Sequence, residues 1–266
     1  MYDYHTHSSF SDDSHTPMNE MIETAINLGF KEIAITDHYD PDYPDQEYPF
    51  EIDFLGYHKS LNEAKETYKG RIKVVKGIEM GIQHGKTLEK CITAAKSYDY
   101  DFILGSFHCA EGMDLNSKAF FEGRSIEDSY IAFYTYMLNC LKSYKEYDIL
   151  GHINVIDRYA ERITSPSVYM DLVDEILKII IYDGKGIEIN TSSYRFGLED
   201  TTPSKKILQR YIELGGEIVT IGSDAHIPRS LGYCLDRGID MIKSAGIRYL
   251  ATFDQRKAHF VPIKNL

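Results

Sequence analysis

What most restricts the fold of this chain is an alternation along its length. Short β-like runs recur at Tyr2–His5, Glu32–Thr36, Ile72–Glu79, Asp101–Phe107, Tyr147–His152, Gly186–Asn190 and Glu217–Gly222, with Arg248–Phe253 as a further candidate. Amphipathic, helix-like segments lie between them. Strands alternating with helices build βα units around a parallel sheet. Several helix boundaries are legible. Thr16-Pro17 opens one helix as N-cap and first helical residue, and Gly29 closes it. Ser125-Ile126-Glu127-Asp128 reads as a capping box opening a long helix to about Tyr147. Thr202-Pro203-Ser204 starts another, which ends near Gly215-Gly216. No linker, low-complexity segment or short-period repeat divides the chain, so residues 1–266 are expected to form a single domain.

A second regularity sits on the first. The residues at or just past the ends of these runs are His5 and His7, then Asp37-His38, Glu79, His108, His152, Glu188 with Asn190, and Asp224 with His226. Alternation along a strand would point His5 and His7 to one side, where two imidazoles can chelate one ion. In a parallel barrel all strand C-termini share one face, so residues far apart in sequence would converge there. Histidine, aspartate and glutamate are suitable donors for zinc, manganese or iron without any thiolate. A single histidine of this kind is more often a core residue, and Asp37 or Asp224 could cap a helix. Six or more runs ending alike make that explanation poor.

Composition narrows the partners. With 43% hydrophobic residues the chain can bury a full core. A formal net charge of -12 argues against a nucleic-acid surface or an anionic membrane. Cys91, Cys109, Cys140 and Cys234 show no CxxC spacing, and no signal peptide or membrane-length apolar run is visible, so a cytoplasmic protein with reduced thiols is expected. Two long connections, residues 39–52 and 109–124, are of the kind that carries function.

Taken in order, His5-Thr6-His7, Thr36-Asp37-His38, Gly77-Ile78-Glu79, Ser106-Phe107-His108, Gly151-His152 and Ser223-Asp224-Ala225-His226 resemble the motifs of the PHP (polymerase and histidinol phosphatase) metallo-phosphoesterases over nearly the whole chain. Within them, the start His5–Ser14, the loop after His152 and Glu188-Ile189-Asn190-Thr191-Ser192 are most similar to the monofunctional histidinol-phosphate phosphatases. The resemblance implies a distorted, TIM-like (β/α)7 barrel with a trinuclear metal centre at the C-terminal ends of the strands. His5, His7, Glu79 and Asp224 would hold the first ion. Glu79 would bridge to a second ion, also held by His108 and His152. Asp13, His38 and His226 would hold the third. Asp12 and Asp13 are adjacent, and either fits the aspartate slot; Asp13 is favoured.

The chemistry follows from such a centre. A carboxylate-bridged metal pair lowers the pKa of a shared water and neutralises phosphoryl oxygens. Glu79, Asp224 and His226 are therefore the expected catalytic residues. Arg158 and Arg195, in loops after His152 and Asn190, are candidate phosphate ligands, because the guanidinium fork suits phosphate oxygens. Arg229 is a weaker third. The expected substrate is a small phosphate monoester, by resemblance L-histidinol phosphate, and the acidic, tyrosine-rich 39–52 loop would meet its cationic end. Other readings are a phosphosugar, nucleotide or phosphotyrosine substrate, or a non-catalytic metal-stabilised domain. Oligomeric state is not legible.

Overall fold

The computed structural model of the chain describes residues 1–265. The strands are β1 (Tyr2–Asp3), β2 (Glu32–Ile35), β3 (His38–Tyr39), β4 (Lys73–Lys76), β5 (Glu79–Gly81), β6 (Leu104–Ser106), β7 (Cys109–Ala110), β8 (Met113–Asp114), β9 (Ile149–Leu150), β10 (Gly186–Asn190), β11 (Val219–Gly222), β12 (Tyr249–Asp254) and β13 (Lys257–Pro262). The helices are α1 (Met18–Asn27), α2 (Phe54–Thr67), α3 (Lys86–Ser97), α4 (Ile126–Ser143), α5 (Ile156–Tyr159), α6 (Met170–Tyr182), α7 (Lys205–Glu213) and α8 (Leu235–Ser244). The result is an α/β fold whose sheets are mostly parallel.

One parallel sheet has the order β1-β2-β4 and the other β11-β10-β9-β6-β5-β3. Two chain segments pass from one sheet to the other, β2 into β3 and β4 into β5. The expected single strand Ile72–Glu79 is thus two strands. The break falls at Gly77, whose backbone lies so close to β2 that a Cβ would sit 2.7 Å from Ile35 O. Glu79 therefore opens β5 rather than ending β4, and it pairs in register with His38. At the far side, Tyr4 N donates to Ile221 O at 2.9 Å and Thr6 pairs with Ala225 in parallel.

The strands of the two parallel sheets are short, two to five residues, and almost wholly buried, as parallel strands covered by helices must be. Alternate residues feed two apolar clusters. Ile33, Ile35, Val74 and Ile103 pack towards the helices, whereas Ala34, Val75, Leu104 and Ile149 join Tyr2, Tyr4, Phe102, Ala251 and Phe253 in a smaller cluster drawn from both sheets. The run expected at Arg248–Phe253 is not another parallel strand. It is β12, half of an antiparallel hairpin with β13, and it delivers Phe253 to that smaller cluster.

Helix boundaries shift by a residue or more. Pro17 takes the N-cap position of α1, and Thr16 instead donates its hydroxyl to His226 O at 3.1 Å. Leu28 is the C-cap and Gly29 follows it in the left-handed conformation, φ 75°. Ser125 caps α4 by accepting from Asp128 N, but α4 stops at Ser143 because Tyr144 is already extended. Ser204 is the N-cap of α7, and Asp200 accepts from Lys205 N. Among the described residues no helix is long and apolar enough to cross a membrane. The cysteines are unpaired.

Candidate metal centre

Glu79 stands at the middle of the site, with its side chain wholly buried. Its Oε2 lies 3.0 Å from His5 Nε2, 3.5 Å from His7 Nε2 and 3.2 Å from His38 Nδ1. Its Oε1 lies 3.3 Å from His108 Nε2 and 3.0 Å from His152 Nε2, and it accepts from Ser106 Oγ. One carboxylate thus faces five imidazoles from four separate segments, His5 and His7 sharing the one after β1. Asp224 Oδ1 is 3.6 Å from His5 Nε2 and 3.4 Å from His7 Nε2. Asp13 Oδ2 is 3.1 Å from His226 Nε2 and 3.8 Å from His38 Nε2. Of the two neighbouring aspartates, Asp13 is the one that faces these histidines; Asp12 accepts from Phe50 N at 2.7 Å.

The electrostatics follow from this crowding. Burial would push the Glu79 carboxyl up, but His5, His38 and His108 outweigh it and hold it well below the usual carboxylate range. Asp224 is held low against burial by His5, His7 and Arg158. Burial works against a charged His5, yet Glu188, Glu79 and Asp224 raise it well above its ordinary value. His7 goes the other way. Burial, with His226 and His38 beside it, keeps it well below the usual imidazole range. Its ring stacks on those of His226 and His38, with centroids 4.0 and 4.3 Å away.

This donor set fits divalent metal. His7 Nε2, His38 Nδ1, His226 Nε2 and Asp40 Oδ2 are buried with no hydrogen-bond partner, a costly condition that a cation would relieve. Four trios bring one ligand atom each within 4.8 Å of one another: His5-His7-Asp224, His5-Glu79-His152, His7-His38-His226 and His38-Asp40-His108. Remaining contacts orient these donors. Glu188 Oε1 lies 2.7 Å from His5 Nδ1, and its Oε2 accepts from His152 N and Asn190 Nδ2. Asp37 is not among the converging donors; it accepts from Ser8 and Ser11 and so fixes the turn after His7.

A cavity of about 310 Å³ opens onto the cluster, in the size range of small-ligand pockets. Arg158 and Arg195 line it. Arg158 donates to Ser192 Oγ at 2.6 Å, lies 3.4 Å from Asp224 Oδ2 and covers the Phe196 ring. Arg195 donates to the carbonyls of Ser223 and Asp224, both at 2.7 Å. Arg229 is exposed and does not line the cavity. A groove elsewhere, lined by Ile212, Arg248 and Phe260, holds none of the donors.

The sequence matches the PHP domain over residues 3–192. The chain belongs to the PHP domain family. Asp224 and His226 lie beyond the matched span, but longer likenesses cover them. A Clostridium acetobutylicum protein named "Probable histidinol-phosphatase" is 35% identical over 93% of this chain and 95% of its own length. The histidinol-phosphatase of Lactococcus lactis is 29% identical over 96% of this chain and 95% of its own length. The crystal structure of a Lactococcus lactis histidinol phosphate phosphatase complexed with zinc, L-histidinol and phosphate superposes with a TM-score of 0.89 at 26% identity, covering 97% of this chain and 98% of that one.

Set against this PHP chain's own sequence pattern, the structure brings His5, His7, Asp13, His38, Glu79, His108, His152, Asp224 and His226 into one cluster beneath the cavity. The 39–52 loop reaches the cavity with some of its side chains. Its aromatic residues Tyr43 and Phe50 line the cavity, whereas Asp42 pairs outward with Lys90. Asp40 turns inward to His108 and was absent from the strand-end pattern. It was detectable: His38-Tyr39-Asp40 repeats the two-residue spacing of His5 and His7 and of Asp224 and His226. Asp114, from the 109–124 connection, accepts from Tyr43 OH at 2.7 Å and ties the two long loops together. Nothing in the spacing of either loop signals that bond.

Proposed function

We propose that this chain is a metal-dependent phosphatase that hydrolyses L-histidinol phosphate to L-histidinol and phosphate. The observation that carries the reading is the single buried carboxylate, Glu79, with imidazoles at 3.0 to 3.5 Å from its two oxygens. A carboxylate so placed can bridge two ions. Its likeness to chains named for this activity, one of them solved with L-histidinol and phosphate, supports the choice of substrate. The proposal extends to a single PHP domain over residues 1–266, acting in the cytoplasm. It also includes a closed seven-stranded, TIM-like barrel, which the Tyr4–Ile221 and Thr6–Ala225 pairings support.

Three divalent ions, zinc, manganese or iron, fit the donors. His5, His7, Glu79 and Asp224 would hold one, Glu79, His108 and His152 a second, and Asp13, His38 and His226 a third. Such ions supply positive charge for the phosphoryl oxygens and make water a better nucleophile near neutral pH. The chain's own part is orientation and charge. Arg158, fixed by Ser192 and Asp224 and with its buried Nε unpartnered, is set to donate to phosphate oxygens. Arg195 borders the same space. Hydrolysis forms one P–O bond from water and breaks the bond to the alcohol oxygen, which must gain a proton. Water in the cavity that Asp224 and His226 line can supply it, and these two residues take part by holding the ions. Tyr43 and Phe50 form the wall for the organic end of the substrate.

The test pairs two measurements on purified protein. Elemental analysis should find up to three divalent ions per chain. Phosphate release should be faster from L-histidinol phosphate than from a phosphosugar, a nucleotide or a phosphotyrosine peptide. Faster release from any of these would overturn the substrate, and activity in metal-free protein would overturn the metal dependence.

A further inference from the structure

Asp40 is 2% exposed, and its side chain touches histidines assigned above to two different ions. Its Oδ1 is 2.6 Å from His108 Nδ1, and its Oδ2 is 3.4 Å from His38 Nδ1. An ionised carboxylate only accepts, so the shorter contact puts the His108 proton on Nδ1. The Nε2 lone pair is then left facing Glu79, 3.3 Å away. The backbone of Asp40 is also fixed. Its N–H donates to Phe50 O and its carbonyl accepts from Tyr43 N, both at 3.1 Å, which closes the 39–52 loop at its root.

Space for this carboxylate comes from the neighbouring strand. Gly81 ends β5, and a Cβ there would lie 1.9 Å from Asp40 Oδ1. Its φ is not in the left-handed region, so the missing side chain provides room rather than conformational freedom. Two independent features thus converge: a hydrogen bond that sets the tautomer of a candidate ligand, and a strand position left bare where the carboxylate sits.

We propose that Asp40 is a positioning residue that holds the His108 imidazole in the tautomer and orientation a divalent ion at the Glu79–His108–His152 cluster requires. The proposal rests on the metal reading given above. Carboxylate–histidine–metal arrangements of this kind typically change metal affinity by about 10- to 100-fold when the outer carboxylate is lost.

The experiment measures zinc affinity of the full chain by competition with a chromophoric chelator, with phosphate release followed in parallel. Asp40→Ala should weaken one zinc equivalent by about 10- to 100-fold. Asp40→Asn keeps an oxygen to accept the His108 proton and should recover most of that loss. Gly81→Ala, which crowds the carboxylate without removing it, should reproduce the loss. In a His108→Ala background, Asp40→Ala should add no further loss, because it acts through His108. Asp40→Asn losing a whole equivalent would make Asp40 a ligand and overturn the proposal. A full additional loss in the His108→Ala background would reduce it to packing and overturn it equally. Wild-type protein that binds zinc while Asp40→Ala binds it as tightly overturns this inference alone. Wild-type protein that binds no divalent ion overturns the metal reading and this one with it.

Discussion

Tyr4 and His5 are neighbours in the chain but belong to regions built on opposite principles. Tyr4 stands edge-on to Phe102 at 5.3 Å and against Phe253, in the apolar cluster that both sheets and the hairpin share. His5 meets Glu79, Glu188 and Asp224. The first region excludes water and gains stability in proportion to the apolar surface it hides. The second buries charged and polar groups that satisfy one another only in part. Strands short enough to change character within one residue let a fold keep its stability at one end and its chemistry at the other.

The largest expected effect tests the chemical end. Glu79→Gln keeps the shape but gives up the charge and one strong oxygen donor. Two ions should loosen together and activity should fall by several orders of magnitude, while the thermal transition of the metal-free protein is retained. Glu188→Gln should keep full metal content, since Glu188 touches His5 Nδ1 and not the cavity. Metal stoichiometry and turnover measured side by side decide this; equal metal loss in the two variants would show the bridge is misassigned.

Phe102→Ala tests the other end. Emptying this buried position should cost about 3–5 kcal/mol of folding free energy, read from urea denaturation. Metal stoichiometry of the molecules that remain folded should be unchanged. A variant that folds normally but loses metal would abolish the distinction between the two regions.

A finer division lies between the arginines. Arg158→Ala should cost about 1.5–3 kcal/mol of transition-state binding, or about ten- to a hundredfold in kcat/KM, with metal content intact. Arg195→Ala should cost a similar amount, and because Arg195 also holds the Ser223 and Asp224 carbonyls, its loss should additionally raise the rate of metal release. Wild-type kinetics in both would remove them from the phosphate site.

The smallest effect uses a histidine outside both regions. His58 is buried and stacks on Tyr98, and burial brings it down to about 4 despite Asp99, whereas carboxylates around His38 bring it up to about 9 against burial. The folded chain therefore binds the His58 proton less tightly than the unfolded chain. Its contribution to stability is constant above the ordinary value of 6.5, declines as pH falls from there to about 4, and is flat below. At about 1.4 kcal/mol per unit the decline cannot exceed about 3 kcal/mol, and solvent screening of the half-enclosed ring should hold it to about 1–2 kcal/mol. Denaturation midpoints across this range should lose that slope in His58→Leu.

The alternation of runs and the donors at their ends were readable because each carries its own local signal. Gly186–Asn190 matches β10 at both bounds. The split of Ile72–Glu79 was not readable. Gly77 is there because β2 presses on it, a contact between segments that no periodicity records. The same holds for Asp40, whose partner His108 lies 68 residues away. The β12–β13 hairpin was missed because a run of apolar residues does not tell whether its partner is parallel or antiparallel. Acidic composition in the 39–52 loop cannot say which way a side chain turns. Asp42 faces Lys90, Asp40 faces His108, and Tyr43 and Phe50 line the cavity.

The pairing of the first strand with the last parallel one has a consequence for how the protein is born. Asp3 accepts from Ser223 N across a sequence separation of 220 residues, and His5 and His7 meet Asp224 by the same closure. At a synthesis rate of roughly 5–20 residues per second, the leading histidines leave the ribosome on the order of ten to forty seconds before their aspartate exists. During that interval the fragment carries Glu79, His108 and His152 but lacks Asp224 and His226, so the two ion sites that need those residues are completed last. Ribosome-bound chains arrested before residue 219 should therefore hold fewer ions than the finished protein, and a full complement on them would contradict this order of events.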